Sequence, residues 1–264
     1  GTPIPFWKVY KLTVSGFALN YATPVGLMGG EPYRIMELTP YVGASKATSS
    51  VILYVMMHIF SHFCFWFFSI FLYLALRPVD IAMGTILAVV GAVSLLAIYF
   101  FMKGYKNGMA VRTLKLLQHI PFIKEWAKRF SENKREALER VDSQIAELHK
   151  QRRSTFYASL SLEFMARIIG CLEVYFILNI LTTDVSFPAC ILIMAFTSLF
   201  ANLFFFSPMQ LGAREGGFAL AVGGLAIPGA FGVYTGLITR VRELIWIVIG
   251  VLLMKVGNGT PANK

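Results

Sequence analysis

Charge is scarce in these 264 residues, and acidic charge is scarcest: only 14% are Asp, Glu, Lys or Arg, with 24 basic side chains against 14 acidic ones. A soluble domain carries about 25% charged residues, so a chain that is also 56% hydrophobic does not face water over most of its surface. Cysteine is rare as well. Cys64, Cys171 and Cys190 sit inside apolar runs, and their spacing makes neither a metal site nor a disulfide framework, so they read as small buried residues. There is no Walker loop, dinucleotide fingerprint, Ser-His-Asp order or CxxC pair. No cofactor is therefore expected, and any transport is energised by a gradient, by a partner, or not at all. No cleavable signal peptide is visible.

What is present is apolar sequence in long runs. Runs of about 18 or more such residues suggest a bilayer span, and several here exceed that. An aromatic-dense helix is predicted from about 48 to 76, stopped by the Arg-Pro-Val-Asp turn at 77–80. A return helix covers 81–102. A second pair covers 155–181 and 189–206, joined by Thr-Thr-Asp-Val-Ser-Phe-Pro at 182–188. A short apolar segment follows at 218–227. Residues 230–254 are apolar apart from Arg240, Arg242 and Glu243, and the tail 255–264 is polar and loose. The expectation is an all-α polytopic membrane helix bundle, a single integral membrane domain over 1–264.

The net charge of +10 is concentrated. Residues 103–153 hold 13 Lys/Arg against 6 Asp/Glu. In a membrane protein such an excess marks a cytoplasmic segment, and it attracts anionic headgroups. No nucleic-acid recognition motif accompanies it, so nucleic acid is not an expected partner. Leu138, Val141, Ile145 and Leu148 recur at helical spacing, which predicts amphipathic helices within a basic cytoplasmic loop over 103–154. They either lie on the membrane and cap the bundle, or form a solvated hairpin. With that loop inside, 48–76 and 155–181 run outward, and the turns at 77–80 and 182–188 are extracytoplasmic.

Two interrupted stretches are alike. The first contains Asn20, Pro24, Gly30, Glu31 and Arg34; the second contains Asn202, Pro208, Gly212, Arg214 and Glu215. Each runs Asn, Pro, Gly, then Glu and Arg close together, although the spacings differ. Two broken or re-entrant segments forming an inverted repeat are expected of a transporter whose halves each contribute a discontinuous helix. In hydrocarbon an unpaired backbone group costs several kcal/mol, so such breaks survive only where protein or water satisfies them. Free N–H groups at a half-helix N-terminus attract anions, and Arg34 and Arg214 add positive charge there. Glu31 and Glu215 hold these arginines or carry a proton. Interfacial loops with locally paired charges are the plainer account of the same stretches.

These stretches carry a family resemblance. NYATPVGLMGGEPYR followed by GASKATSS, and SPMQLGAREGG followed by ITRVRELIWIVIG, resemble the flippase-like transmembrane region of bacterial lysylphosphatidylglycerol synthases. The likeness covers most of the chain outside 103–153. It rests on Pro24, Gly30, Glu31 and Arg34 in the first half and on Pro208, Gly212, Glu215 and Arg240 in the second. There are departures: members usually carry further helices upstream, and a Glu-Arg pair where this chain has Met57-His58-Ile59-Phe60-Ser61-His62. No segment has the length and polarity of an aminoacyl-transferring domain, which makes a stand-alone member the expectation. The resemblance implies lipid translocation or handling, not lipid aminoacylation, in the bacterial inner (cytoplasmic) membrane.

Other polar residues interrupt the apolar runs. His58 and His62 share a helix face with Ala47, Ser50, Tyr54 and Ser69. That stripe is expected to face the bundle interior and line a polar cavity or bond between helices. Metal binding is the lesser reading, because no Glu follows the first His as in a zinc-protease helix. Glu163 and Arg167 are spaced as a helical pair. Glu173 has no local partner and is expected to meet an arginine from another helix or carry a proton. Arg240, Arg242 and Glu243 mark either a helix N-terminus at the interface or, for Arg240, a group facing the same cavity as the two broken stretches.

Three functions follow. The leading one is a flippase or lipid transporter moving an anionic or phosphate-bearing lipid, the headgroup held by Arg34, Arg214 and Arg240, with Glu31, Glu215 and Glu173 positioning them or coupling to protons. The second is an intramembrane lipid-modifying enzyme using His58 and His62. The third is a non-transporting membrane protein that forms a homo-oligomer or docks a partner through 103–154.

Overall fold

A computed structural model describes residues 4–22, 29–107, 143, 153–182, 185–204 and 210–255. Its eight described elements are all helices: α1 Phe6–Ala22, α2 Gly30–Val42, α3 Ala44–Leu76, α4 Ile81–Asn107, α5 Arg153–Leu181, α6 Phe187–Leu203, α7 Ala213–Gly223 and α8 Gly229–Lys255. Pro24, Pro208 and the amphipathic positions Leu138, Val141, Ile145 and Leu148 lie outside the described residues. So does most of 103–154, whose ends continue α4 and begin α5.

Helix boundaries follow local chemistry. α3 ends at Arg77, before Pro78, where the backbone turns extended because a residue preceding proline disfavours the helical region. The Asp80 carboxylate then accepts from the Met83 N–H at 2.7 Å and caps α4. Ser186 caps α6, with Pro188 in the first turn. Among the described residues, three helices are long and apolar enough to cross a membrane: Ala44–Leu76, Ile81–Lys103 and Ser154–Leu181. Their outer faces carry exposed Phe71, Leu74, Ile86, Val89, Leu162 and Ile180, as lipid contact requires and water does not tolerate. The protein is an all-α membrane helix bundle.

The inner faces pack in three groups. Met57, Phe60, Phe101 and Phe156 join α3, α4 and α5, with the Phe60 and Phe101 rings stacked at 4.0 Å. Phe65, Trp66, Cys171, Ile191 and Ala195 join α3, α5 and α6, and Trp66 Nε1 donates to Ser198 Oγ at 2.9 Å. Val174, Leu178, Cys190, Ile193, Phe218 and Val222 join α5, α6 and α7. Cys171 and Cys190 are fully buried and all three cysteines are free thiols.

Two helical hairpins hold the polar residues. In the first, α2 folds back on α1: Arg34 bonds the Leu12 and Thr13 carbonyls, and Lys8 pairs with Glu37. The helices touch where Gly30 meets Gly16, and a Cβ on Gly30 would lie 2.1 Å from the Gly16 carbonyl oxygen. In the second, α7 folds back on α6, with Gly217 against Thr197. Both hairpins lie along α8. Ser15 Oγ donates to the Gly250 carbonyl and Tyr21 reaches Glu243, so α1 climbs from the C-terminal end of α8 to its middle. Gly232 lies against Phe218 and Arg240 bonds Glu215, so the second hairpin descends from the other end to the same level.

The hairpins thus enter from opposite ends and bring their closed ends together, the inverted arrangement that the paired broken stretches predict. α1 and α6 correspond, at 17 residues each. α2 and α7 correspond, and the long α3 and α8 follow them. Gly43, at φ +81° and ψ 152°, is the single residue between α2 and α3, and a Cβ there would be strained.

α8 corrects one reading. It begins at Gly229, so Arg240 and Glu243 are the twelfth and fifteenth of its 27 residues, not a helix N-terminus at an interface. At about 1.5 Å per residue the helix is about 40 Å long, and these charges sit near its middle.

Candidate functional site

At the first hairpin's closed end, Asn20 is the organising side chain. Its Oδ1 accepts from the Gly30 N–H at 2.7 Å, filling one free donor of α2, and its Nδ2 donates to Glu31 Oε1 at 3.1 Å. Glu31 Oε1 also takes Arg34 at 3.1 Å. Arg34 is 7% exposed; its guanidinium spans the Leu12 and Thr13 carbonyls and lies 4.9 Å from the Tyr54 ring centroid, a cation–π contact to α3. It fills the space that the missing Gly16 side chain leaves, since a Cβ there would lie 2.4 Å from Arg34 Nε.

The second closed end is richer. Glu215 Oε2 accepts from the Gly212 N–H at 2.9 Å and caps α7, while its Oε1 takes Arg240 Nε at 2.7 Å. Arg240 also donates to the Gln210 carbonyl. Arg214 pairs with Glu243. Glu243 is 4% exposed and lies 3.7 Å from Arg240 and 3.8 Å from Arg242. Arg242 reaches Glu173 of α5 at 3.0 Å. Three guanidiniums therefore meet three carboxylates, and Tyr21 of α1 joins the group at 3.5 Å. Lone buried charges are costly, and pairing offsets that cost only where geometry is good.

Between α3 and α5 lies a cavity of about 590 Å³ lined by Ser50, Tyr54, Phe156, Ser159, Leu162 and Glu163, among others. Glu163 reaches His58 Nδ1 at 3.3 Å. One turn further on, Arg167 donates to Ser61 Oγ at 2.7 Å and to the His58 carbonyl at 2.9 Å, and lies 3.1 Å from His62 Nδ1. Tyr54 belongs to both neighbourhoods, with Arg34 on its ring and His58 stacked along the helix at 6.3 Å.

The lysylphosphatidylglycerol synthase transmembrane-region model matches residues 1–250. The chain belongs to that family. Membership makes it a lipid-related protein embedded in a membrane. No curated protein and no solved structure matches the chain.

Within this family member the sequence pattern located most of the polar residues but mispaired several. Asn20, Gly30, Glu31 and Arg34 converge, and so do Gly212, Arg214, Glu215 and Arg240. Arg214 and Glu215 are not each other's partners: each turns to α8, because neighbours on a helix point apart. Glu163 and Arg167 do not form the local pair that their spacing suggests. α5 runs alongside α3, which offers His58 to one and Ser61, His62 and a carbonyl to the other. Tyr54 and Glu163 line the cavity with His58 half-exposed beside them, whereas Glu173 belongs to the arginine cluster. Asn202 does not repeat Asn20's role and donates to the Ser198 carbonyl of its own helix. Among the described residues no three His, Cys, Asp or Glu side chains gather as a metal site would require.

Tyr21, Arg242 and Glu243 are the cluster members that sequence reasoning left out of the site. Tyr21 carried no signal, being one of 11 tyrosines. Glu243 and Arg242 had one, as charges beside Arg240 in an apolar run.

Proposed function

We propose that this protein moves an anionic or phosphate-bearing lipid between the leaflets of the bacterial inner membrane, with 103–154 on the cytoplasmic side. The observation that carries this reading is the meeting of two oppositely directed hairpins at the middle of α8, where half-buried Arg214 of α7 and Arg240 of α8 stand together, with buried Arg34 inside the first hairpin. A headgroup crossing a bilayer needs polar partners at mid-depth, and guanidiniums bind phosphate with paired, directional hydrogen bonds. Asn20, Glu31 and Glu215 act as positioners, since each holds an arginine or a half-helix N-terminus in place. The lateral cavity by Tyr54 and Glu163 offers a way in from the acyl region.

The test is a leaflet-sidedness assay in liposomes with a fluorescent anionic phospholipid. Arg34→Ala and Glu215→Ala are each expected to slow lipid movement at least about tenfold, the equivalent of one charge-assisted hydrogen bond. Unchanged movement in both variants sinks the site assignment.

One observation favours a second reading, an enzyme acting on a lipid headgroup: the His58–Glu163 pair stands at the cavity. If it performs acid–base chemistry, His58→Ala abolishes product formation from labelled lipid. If the protein only translocates, the same variant retains lipid movement.

A further inference from the structure

The arginine cluster at the middle of α8 has no net charge to offer. Arg214, Arg240 and Arg242 are matched by Glu243, Glu215 and Glu173. Bringing a lipid phosphate among them would bury a fourth negative charge against three positive ones, away from water. Such an uncompensated charge is not tolerated; the system neutralises instead.

We infer that seating a phosphate-bearing headgroup here takes up one proton, which Glu243 carries. The inference rests on the lipid-transport reading above. Glu243 is singled out by geometry. It is the most buried of the three carboxylates, with its side chain 5% exposed against 16% for Glu215 and 26% for Glu173. Its Oε2 is closed off from solvent and accepts no hydrogen bond, with the Arg240 guanidinium no nearer than 3.7 Å, so that oxygen can take a proton without breaking a hydrogen bond. Glu215, by contrast, uses both oxygens, one on Arg240 and one on the α7 N-terminus.

The groups facing Glu243 are Tyr21 from α1, Arg214 from α7, and Arg240 and Arg242 from α8. Glu215 and Glu173, the latter from α5, stand behind these arginines. The balance is simple. The cluster starts with three positive and three negative charges. The phosphodiester brings one negative charge, and a proton from the aqueous phase joins the Glu243 carboxylate. Arg214 exchanges that carboxylate for a phosphate oxygen, and the total stays at zero. The lipid remains chemically unchanged. A transporter built this way draws on a proton gradient without any nucleotide.

The experiment titrates the full chain in detergent with dihexanoyl phosphatidylglycerol, whose phosphodiester stays ionised throughout pH 6–8. Calorimetry in buffers of different ionisation heat reads the protons taken up. The expected result is about one proton per lipid bound and an affinity that falls about tenfold per unit of rising pH across pH 6–8. Glu243→Gln is expected to bind with no uptake and a flat pH dependence.

Binding by the wild type without proton uptake overturns this inference and leaves the lipid reading standing. Absence of binding in both proteins overturns the lipid reading and this inference with it. Uptake that persists in Glu243→Gln removes Glu243 as the carrier. Should that variant not fold, Glu173→Gln and Glu215→Gln replace it. Both must then retain uptake per lipid bound, even at lower affinity, and loss in either assigns the proton elsewhere. Glycerophosphoglycerol, the same headgroup without acyl chains, separates the sources: binding as tight as that of the lipid overturns the lipid as ligand.

Discussion

Gly30→Ala is expected to lower the apparent melting temperature in detergent by about 6–12 °C, from a loss of about 3 kcal/mol. The added Cβ would sit 2.1 Å from the Gly16 oxygen, 2.8 Å from its carbonyl carbon and 2.9 Å from its Cα. All three obstacles are backbone atoms, so no rotamer change relieves the clash and α1 must part from α2. Parting them stretches the bonds from Arg34 to Leu12 and Thr13 and the Asn20 cap on Gly30 together. That places the cost at the upper end of ordinary overpacking, about 3 kcal/mol. Gly170→Ala is the control. It lies within α5 with nothing within 4 Å of the new methyl, so helix propensity makes it neutral or slightly stabilising. Equal melting temperatures for the two variants would show that the hairpin is not closed by the Gly16–Gly30 contact.

Arg214→Ala is expected to destabilise the protein by about 3 kcal/mol, and Glu243→Gln in the same chain to restore most of it. Removing one partner of a buried pair leaves an uncompensated charge, a loss of about 3–5 kcal/mol. The lower end applies because Arg240 and Arg242, at 3.7 and 3.8 Å, can close on the abandoned carboxylate. A buried glutamine needs hydrogen bonds but no counter-charge, which explains the rescue. Thermal unfolding of wild type, the single variant and the double variant reads the outcome. A double variant no better than Arg214→Ala would mean that Arg214 acts through packing alone.

Much of this was legible in the sequence, for specific reasons. α3, α4 and α5 stand out because a long apolar run has few alternatives. The two hairpin ends stand out because Gly, Pro and paired charges have no place in a simple span. Glu31–Arg34 was readable because it is local, three residues apart on one helix. The pairings of Arg214, Glu215, Glu163 and Arg167 were not, because their partners come from other helices and spacing along one chain carries no information about a neighbour's register. Of the two readings of Arg240, the helix start at the interface fails: the helix runs unbroken from Gly229 through the charged segment, with Thr235 and Thr239 bonding carbonyls of their own helix. Asn20 and Asn202 show the limit of pattern matching: the same residue type in like positions caps a neighbouring helix in one half and bonds its own helix in the other.

Gly43 has a mechanical consequence. A hairpin tied to its successor by one residue has no slack, so α2 cannot shift without pulling the first turn of α3 with it. α3 then acts as a lever 33 residues long, whose pivot end is held by the first hairpin and whose shaft carries Tyr54, His58 and Trp66 in turn. The same rod carries Tyr54 against Arg34 of the first hairpin and Trp66 bonded to Ser198 of α6, in the other hairpin. The two halves are linked by this rod as well as by the charges that meet between them.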